Sequence, residues 1–135
     1  MRVVANIDGA SFGNPGQSGL GVVIRDAEGN LLQEYCENIG VGTNNRAEYM
    51  ALLKCVELAK ELGADELDVR SDSLLVVSQV NGLYKIKNPD IKIFIRDLHD
   101  RLTKFKMKFR IQHIPREMNR AADKLSKKGA GLAKE

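Results

Sequence analysis

The sequence lacks the features that mark disulfide-rich, zinc-binding, membrane-spanning and secreted proteins. Its 135 residues include no tryptophan and only two cysteines, Cys36 and Cys55. Two isolated cysteines cannot build a disulfide framework or a zinc site, so we expect both to be buried, free thiols. No apolar run approaches the roughly 20 residues of a membrane-spanning helix, and Asp8 comes too early for a secretory signal. We therefore expect a cytoplasmic protein with no membrane partner.

A nucleotide-binding loop is missing as well. Glycines cluster in residues 13–21, but a phosphate-binding loop must lead into the N-terminus of a helix. Here the β-branched residues 22–24 follow, and they favour a strand. The chain also contains no Gly-Lys-Ser/Thr triplet. These observations exclude an ATP site of the Walker type and a dinucleotide site.

Charge is distributed unevenly along a chain whose net charge is only +3. Residues 1–68 carry five Lys/Arg and eleven Asp/Glu, whereas residues 69–135 carry sixteen and seven. An acidic half beside a basic half suggests a polyanionic partner held next to a carboxylate site. The alternative is a solvated surface whose charges happen to segregate.

Hydrophobic periodicity predicts the element order β-β-β-α-β-α-α-β-α. Strands are expected at residues 2–8, 19–25, 31–41, 66–71 and 107–112. Helices are expected at residues 47–62, 73–80 and 89–102, and after Pro115. The glycine-rich stretch 9–19 is expected to be a turn.

This order predicts an α/β fold with a mixed five-stranded sheet flanked by helices. The first three strands have short connections and should form an antiparallel meander. The later strand–helix–strand units favour parallel pairing of the last two strands. We expect a single domain over residues 1–135.

Four carboxylates occupy positions where an acid does not pack comfortably against a core. Asp8 and Asp72 end predicted strands, Glu48 lies in the first turn of a long helix, and Asp123 lies on the last helix. Each has a structural alternative: a turn for Asp8, a helix cap for Asp72, a capping box of Asn45 and Glu48, and solvation for Asp123. If the fold brings all four together, their repulsion calls for divalent metal, and oxygen ligands suit Mg²⁺ or Mn²⁺.

The motifs around these carboxylates resemble type 1 ribonuclease H over nearly the whole chain. The matching segments are Asp8-Gly9-Ala10-Ser11 with Gly13-Asn14-Pro15-Gly16, Thr43-Asn44-Asn45-Arg46-Ala47-Glu48, Ser71-Asp72-Ser73, and Asn119 with Ala122-Asp123. The resemblance implies the ribonuclease H-like fold and endonucleolytic hydrolysis of the RNA strand in an RNA–DNA hybrid, leaving 5′-phosphate and 3′-hydroxyl ends. It also implies two Mg²⁺ or Mn²⁺ ions held by Asp8, Glu48, Asp72 and Asp123. We expect the enzyme to be a monomer.

The resemblance assigns further residues to substrate binding. Asn14, Asn44 and Asn45 match positions that contact the minor groove, where neutral amides can read 2′-hydroxyls and base edges. Thr43 and Arg46 match a region that contacts the backbone of the hybrid.

His113 matches a mobile histidine that assists proton transfer or product release in the family. By strand alternation it could instead be a core histidine, and Arg116 or Glu117 could take part of its role.

Two departures from the family bear on substrate affinity. Residues 82–92 are shorter than the basic protrusion of well-known members, so phosphate contacts are expected from scattered basic residues, namely Lys85, Lys87, Lys92 and Arg96. Leu74 stands where members often carry a polar residue, so one minor-groove contact is expected to be missing.

Two other functions are compatible with the fold. One is a non-catalytic nucleic-acid-binding module, and the presence of all four acids argues against it. The other is a different metal-dependent nuclease of the wider ribonuclease H-like superfamily, such as a transposase core or an exonuclease.

Overall fold

A computed structural model describes residues 1–132, and within this range the predicted element order is confirmed. The strands are β1 (Arg2–Gly13), β2 (Gly16–Asp26), β3 (Leu31–Gly42), β4 (Glu66–Ser71) and β5 (Lys108–His113). The helices are α1 (Asn44–Glu61), α2 (Leu74–Val80), α3 (Pro89–Lys104) and α4 (Arg120–Gly131). A short 3₁₀ turn, Arg116–Met118, precedes α4. None of the helices in this range is long and apolar enough to cross a membrane.

The sheet has the strand order β3-β2-β1-β4-β5. Strands β1, β2 and β3 pair antiparallel, whereas β4 runs parallel to β1 and β5 runs parallel to β4. The predicted mixed sheet is therefore confirmed. The two parallel ladders end at the pairs Ile7–Ser71 and Ser71–His113. Asp8 and Asp72 follow directly, so both lie at the same edge of the sheet.

The turn predicted for residues 9–19 is wrong. Strands β1 and β2 stay paired from Asp8–Gly21 to Gly13–Gly16, and only two residues connect them. The third strand supports this long hairpin, because Ser11 Oγ donates a hydrogen bond to Gly42 O at 2.9 Å. Pairing across three strands satisfies the backbone and outweighs the local preference of glycine and serine for turns.

Helices cover both faces of the sheet. The α1 face is apolar: the alternating residues Val3, Ala5 and Ile7 of β1 are fully buried in the core there. Tyr49 of α1 stacks on Phe94 of α3, with ring centroids 5.4 Å apart, which joins the two helices. Helix α4 packs on the opposite face, over β1, β2 and β3. The element order thus produces a three-layer arrangement around the sheet.

The two cysteines are free, as expected, but differ in burial. Cys55 on α1 is buried in the core, whereas Cys36 on β3 is only half-buried. The expectation of burial is therefore wrong for Cys36. This residue lies on β3, an edge strand, where the sheet is less fully covered than at its centre.

Two glycines allow α1 and α4 to approach the sheet closely. A Cβ on Gly9 would overlap the backbone of α1 at Ala47 and Glu48. A Cβ on Gly21 would lie 2.5 Å from Ala122 O on α4. No side chain fits at either crossing. Glycine at these positions therefore lets α1 contact β1, the strand that carries Asp8, and lets α4 contact the neighbouring strand β2.

We expect Gly21→Ala to lower the free energy of unfolding by about 1–3 kcal/mol, as overpacking does in a filled interior. The added methyl group would overlap Ala122 O and Ser126 N of α4. Equilibrium urea denaturation measures the change. Gly131→Ala is a matched control on α4 itself, because its Cβ would meet only a ring carbon of Phe12 at 3.7 Å. Equal stabilities of the two variants would contradict the close packing of α4 on β2.

Candidate active site

Four carboxylates from four segments of the chain line one cavity of about 480 Å³. Asp8 comes from β1, Glu48 from α1, Asp72 from the residue after β4, and Asp123 from the first turn of α4. Asp8, Glu48 and Asp72 each offer one oxygen, and these three oxygens lie within 4.8 Å of one another. The structure therefore places the four predicted carboxylates around a single cavity at the carboxyl ends of the parallel strands.

Glu48 is directed toward the sheet rather than used as a helix cap. Its Oε1 accepts a hydrogen bond from Gly9 N at 3.0 Å. The N-cap of α1 is Thr43, whose Oγ1 accepts from Arg46 N at 3.1 Å. The capping box suggested for Asn45 and Glu48 is therefore wrong, because the helix begins two residues earlier than that arrangement requires.

The second oxygen of the Glu48 carboxylate is an unpartnered buried acceptor. Within residues 1–132, Glu48 Oε2 is buried and has no hydrogen-bond donor. A buried acceptor without a partner is destabilising, and more so when it carries charge. A cation in the cavity would supply the missing partner.

Neutral donors from α4 and the residue before it hold two of the other carboxylates. Ser126 Oγ donates to Asp8 Oδ2 at 2.8 Å. The buried Asn119 donates from Nδ2 to Asp72 Oδ2 and to Ile7 O, both at 2.9 Å. The suggestion that Asp72 caps α2 is wrong, because Ser73 is the N-cap and its hydroxyl accepts from Val76 N. These donors orient the carboxylates without neutralising their charge.

Asp123 alone among the four has a basic partner in the described structure. Lys127 Nζ lies 3.0 Å from Asp123 Oδ2, one helical turn further along α4. Among residues 1–132, no salt bridge involves Asp8, Glu48 or Asp72. The cavity therefore keeps a concentration of negative charge.

Burial and mutual repulsion disfavour the ionised forms of two of these carboxylates. Burial is the largest cause that raises the pKa of Asp8 from 3.8 to about 6. Burial, followed by the charge of Asp8, raises the pKa of Glu48 well above its ordinary value. A divalent cation would remove this penalty, and an all-carboxylate donor set is the kind that Mg²⁺ and Mn²⁺ prefer. The residues present thus fit a divalent metal.

The residues expected to bind substrate lie in two adjoining places. Asn44 lines the carboxylate cavity, and its backbone N–H donates to Asn14 Oδ1 at 3.1 Å, which ties the β1–β2 turn to the start of α1. Thr43, Asn45 and Arg46 line a neighbouring cleft of about 600 Å³, together with residues at the start of α3.

His113 ends β5 with its side chain exposed. The alternative of a core histidine is therefore wrong. His113 does not line the carboxylate cavity, whereas Arg116 of the 3₁₀ turn does. His113 pairs with Ser71 in the parallel ladder, so it lies beside the residue that precedes Asp72.

Sequence reasoning missed two residues of the site, Ser126 and Lys127. Both hold a carboxylate, and both lie within four residues of Asp123. A signal for Ser126 was present, because this serine falls on the buried stripe of α4 with Ala122 and Gly129. A polar residue on such a stripe needs a partner, and here the partner is Asp8.

The metal-free protein is expected to lose stability as the pH rises from about 4 to above 6. Asp8 binds its proton more tightly when folded, with a pKa of about 6, than in the unfolded chain, where 3.8 applies. The loss from this group is roughly 3 kcal/mol, and Glu48 acts in the same direction. Thermal unfolding in chelator from pH 4 to pH 8 measures it. Asp8→Asn should flatten the profile and raise stability at pH 7, and a variant that is less stable at pH 7 would show that Asp8 is structural.

Comparison with known proteins agrees with this architecture. A family model described as reverse transcriptase-like matches residues 6–129. The chain is 39% identical over 125 residues to ribonuclease HI of Halobacterium salinarum, covering 93% of this chain and 62% of that protein. It is also 39% identical over 127 residues to a bifunctional protein of Mycobacterium tuberculosis, covering 93% and 35% respectively. The chain thus spans less than two thirds of the length of these relatives.

Two solved structures resemble it closely over their whole length. The crystal structure of RNase H1 from Halobacterium salinarum has a TM-score of 0.91 and 38% identity, covering 96% of this chain and 97% of that one. LC11-RNase H1 in complex with RNA/DNA hybrid has a TM-score of 0.90 and 38% identity, covering 95% and 96%. With the sheet order, the carboxylate cavity and these similarities together, the chain belongs to the type 1 ribonuclease H family.

Proposed function

We propose that this protein is an endoribonuclease that hydrolyses the RNA strand of RNA–DNA hybrids and leaves 5′-phosphate and 3′-hydroxyl ends. The observation that carries the proposal is the cavity in which Asp8, Glu48 and Asp72 bring carboxylate oxygens within 4.8 Å of one another, with Asp123 beside them. The relative LC11-RNase H1, which was crystallised with an RNA/DNA hybrid, supports the choice of substrate.

The four carboxylates are proposed to hold two divalent ions, Mg²⁺ or Mn²⁺. Such a pair, when bound, supplies a water activated for in-line attack and positive charge at the departing ribose oxygen. Asp8 would be a ligand of these ions, because one of its oxygens lies within 4.8 Å of oxygens of Glu48 and Asp72, and Asp123 lines the same cavity. Ser126 and Asn119 keep Asp8 and Asp72 in place, so that the site is organised before substrate arrives.

Three amide side chains are proposed to recognise the minor groove. Asn44 lines the cavity, Asn45 lines the neighbouring cleft, and Asn14 is hydrogen-bonded to Asn44. Asn14, Asn44 and Asn45 are neutral, and each offers both donors and acceptors. Such groups can read the 2′-hydroxyls that distinguish an RNA strand from a DNA strand. The hydrogen bond between Asn44 N and Asn14 Oδ1 fixes two of them relative to each other.

The cleft beside the cavity is proposed to bind the backbone of the hybrid. Thr43 and Arg46 line it on one side, and Asn88 at the start of α3 lines it on the other. Among the described residues, Arg46 donates one guanidinium hydrogen bond, to Ile39 O at 3.4 Å. Its other donors suit a phosphate, which arginine binds with charge-assisted hydrogen bonds.

We further propose that His113 assists proton transfer or product release. Its exposed position leaves the imidazole accessible to substrate, and β5 ends beside the strand that leads to Asp72. Arg116, which lines the cavity, is the alternative for this role.

A monomeric, single-domain and cytoplasmic enzyme is the remaining part of the proposal. One chain provides all four carboxylates of the cavity.

Digestion of end-labelled duplexes tests the proposed reaction. With Mg²⁺ or Mn²⁺, we expect cuts within the RNA strand of an RNA–DNA hybrid and no cuts in DNA–DNA, because only the hybrid offers 2′-hydroxyls on one strand. The same digest on an RNA–RNA duplex shows whether the second strand must be DNA. Blocking both ends of the hybrid should leave cleavage unchanged. If blocked ends abolish cleavage, the protein is an exonuclease, and if no duplex is cut with either metal, it is a binding module.

Asp8→Asn should lower hybrid cleavage by on the order of 10³-fold or more, because the site would then have one negatively charged ligand fewer to hold its ions. Initial rates on a labelled hybrid measure the effect. Asp65→Asn is the matched control: the same change at an exposed aspartate that pairs with the N-terminal amine, away from the cavity. A similar loss of rate in both variants would contradict the assignment of Asp8 to the reaction.

A further inference from the structure

The outer face of α4 carries a line of basic residues. Arg120, Lys124 and Lys128 stand four residues apart, and all three are exposed. At 1.5 Å per residue, their Cα atoms are spaced by about 6 Å along the helix. The residues on the opposite side of α4 are buried against the sheet: Ala122, Ser126, Gly129 and Ala130. We call the three basic residues the α4 ridge.

Helix stability does not account for the α4 ridge. Within residues 1–132, none of its three members forms a salt bridge, and the basic residue of α4 that does is Lys127. Like charges four residues apart destabilise a helix. Arg120 also stands at the first position of α4, where the helix dipole opposes a positive charge. The arrangement therefore requires another explanation, and binding of an anion is the simplest.

The α4 ridge lies beside the carboxylate cavity, because Asp123 and Lys127, which line the cavity, directly precede Lys124 and Lys128 on α4. Arg116, which lines the cavity, precedes Arg120 by four residues. Helix α4 begins at the cavity with Asp123 in its first turn, and its far end reaches β3, where Asn38 Nδ2 donates to Ala130 O. From Arg120 to Lys128 the ridge extends about 12 Å, or roughly the axial rise of three to four nucleotides.

We propose that the α4 ridge binds backbone phosphates of the hybrid on one side of the cleaved linkage. This inference rests on the proposed function and extends the substrate-binding surface beyond the cavity and its neighbouring cleft. The sequence of α4 contains no aromatic residue on which unpaired bases could stack. The ridge is thus suited to the phosphates of a duplex flank, which it would bind without sequence preference and with strong salt dependence.

Binding is tested with the triple variant Arg120→Gln, Lys124→Gln and Lys128→Gln. Asp8→Asn is added to every protein so that no strand is cut, and fluorescence anisotropy on a hybrid of about 20 base pairs is read over a salt series. Loss of three phosphate contacts should make the slope of log K against log salt less steep by about 2 to 3. Lys124→Gln alone should give about one third of that change.

The matched control is the triple variant Lys60→Gln, Lys104→Gln and Lys106→Gln. It removes the same charge from exposed lysines near the C-terminal ends of α1 and α3, at the opposite edge of the sheet from the cavity. We expect its salt slope to match that of the parent protein. An equal change in slope in both triple variants would overturn the proposal, because net charge and not local contact would then be responsible.

Cleavage of hybrids of different lengths gives a second readout. It is measured on the parent protein and the ridge variant, both of which retain Asp8. On a hybrid too short to reach the ridge, the ridge variant should cleave as the parent does. On a long hybrid it should show a raised KM and an unchanged kcat. A ridge variant that binds and cleaves every hybrid like the parent overturns the ridge while leaving the proposed function standing. A parent protein that cleaves no hybrid with either metal overturns the proposed function instead, and the slope comparison still decides whether the ridge binds nucleic acid.

Folding of the variants is monitored by thermal unfolding. The ridge variant should be at least as stable as the parent, because substitution relieves repulsion along α4. If it is markedly less stable, the ridge has a structural role and the proposal is overturned.

Discussion

Four carboxylates repel one another in a single cavity, and the packing of the helices on the sheet has to hold them there. Helices α1 and α4 cross the sheet so closely that only glycine fits beneath them, at Gly9 and Gly21. These crossings bring Glu48 and Asp123 to the edge where Asp8 lies. The penalty is visible in the raised pKa values of Asp8 and Glu48. Packing of the apolar core on the α1 face holds the acids together despite that penalty. A divalent cation bound in the cavity would relieve that penalty.

The scaffold orients the acids as well as gathering them. The parallel ladders of β1, β4 and β5 end level with one another, which places Asp8 and Asp72 at one edge. Asn119 and Ser126 then fix these carboxylates through neutral hydrogen bonds, so their charge stays available for metal. Sites built on rigid elements lose less free energy to reorganisation when the reaction occurs. The exposed basic residues Arg120, Lys124 and Lys128 lie outside the cavity, where they can attract a polyanion without pairing with the acids.

The sequence predicted the element order, the mixed sheet and the family, because periodicity and motif spacing are local properties of the chain. What it did not predict depends on contacts between distant segments. Residues 9–19 have the composition of a turn, yet pairing with β3 keeps them extended. The helix cap was assigned to Asn45, whereas hydrogen bonding selects Thr43. The role of Gly9 in helix packing and of Ser126 in holding Asp8 emerges only when α1 and α4 are placed on the sheet.

Anomalous scattering from Mn²⁺ would show whether the carboxylate cavity is a site for divalent cations. Crystals grown without divalent metal would be soaked in MnCl₂, and the anomalous difference map would be inspected at the carboxyl ends of β1 and β4. We expect a peak coordinated by the oxygens of Asp8, Glu48 and Asp72, and we expect it to be lost in crystals of Asp8→Asn. Ordered carboxylates with no peak among them, at a Mn²⁺ concentration that saturates other sites, would contradict this expectation.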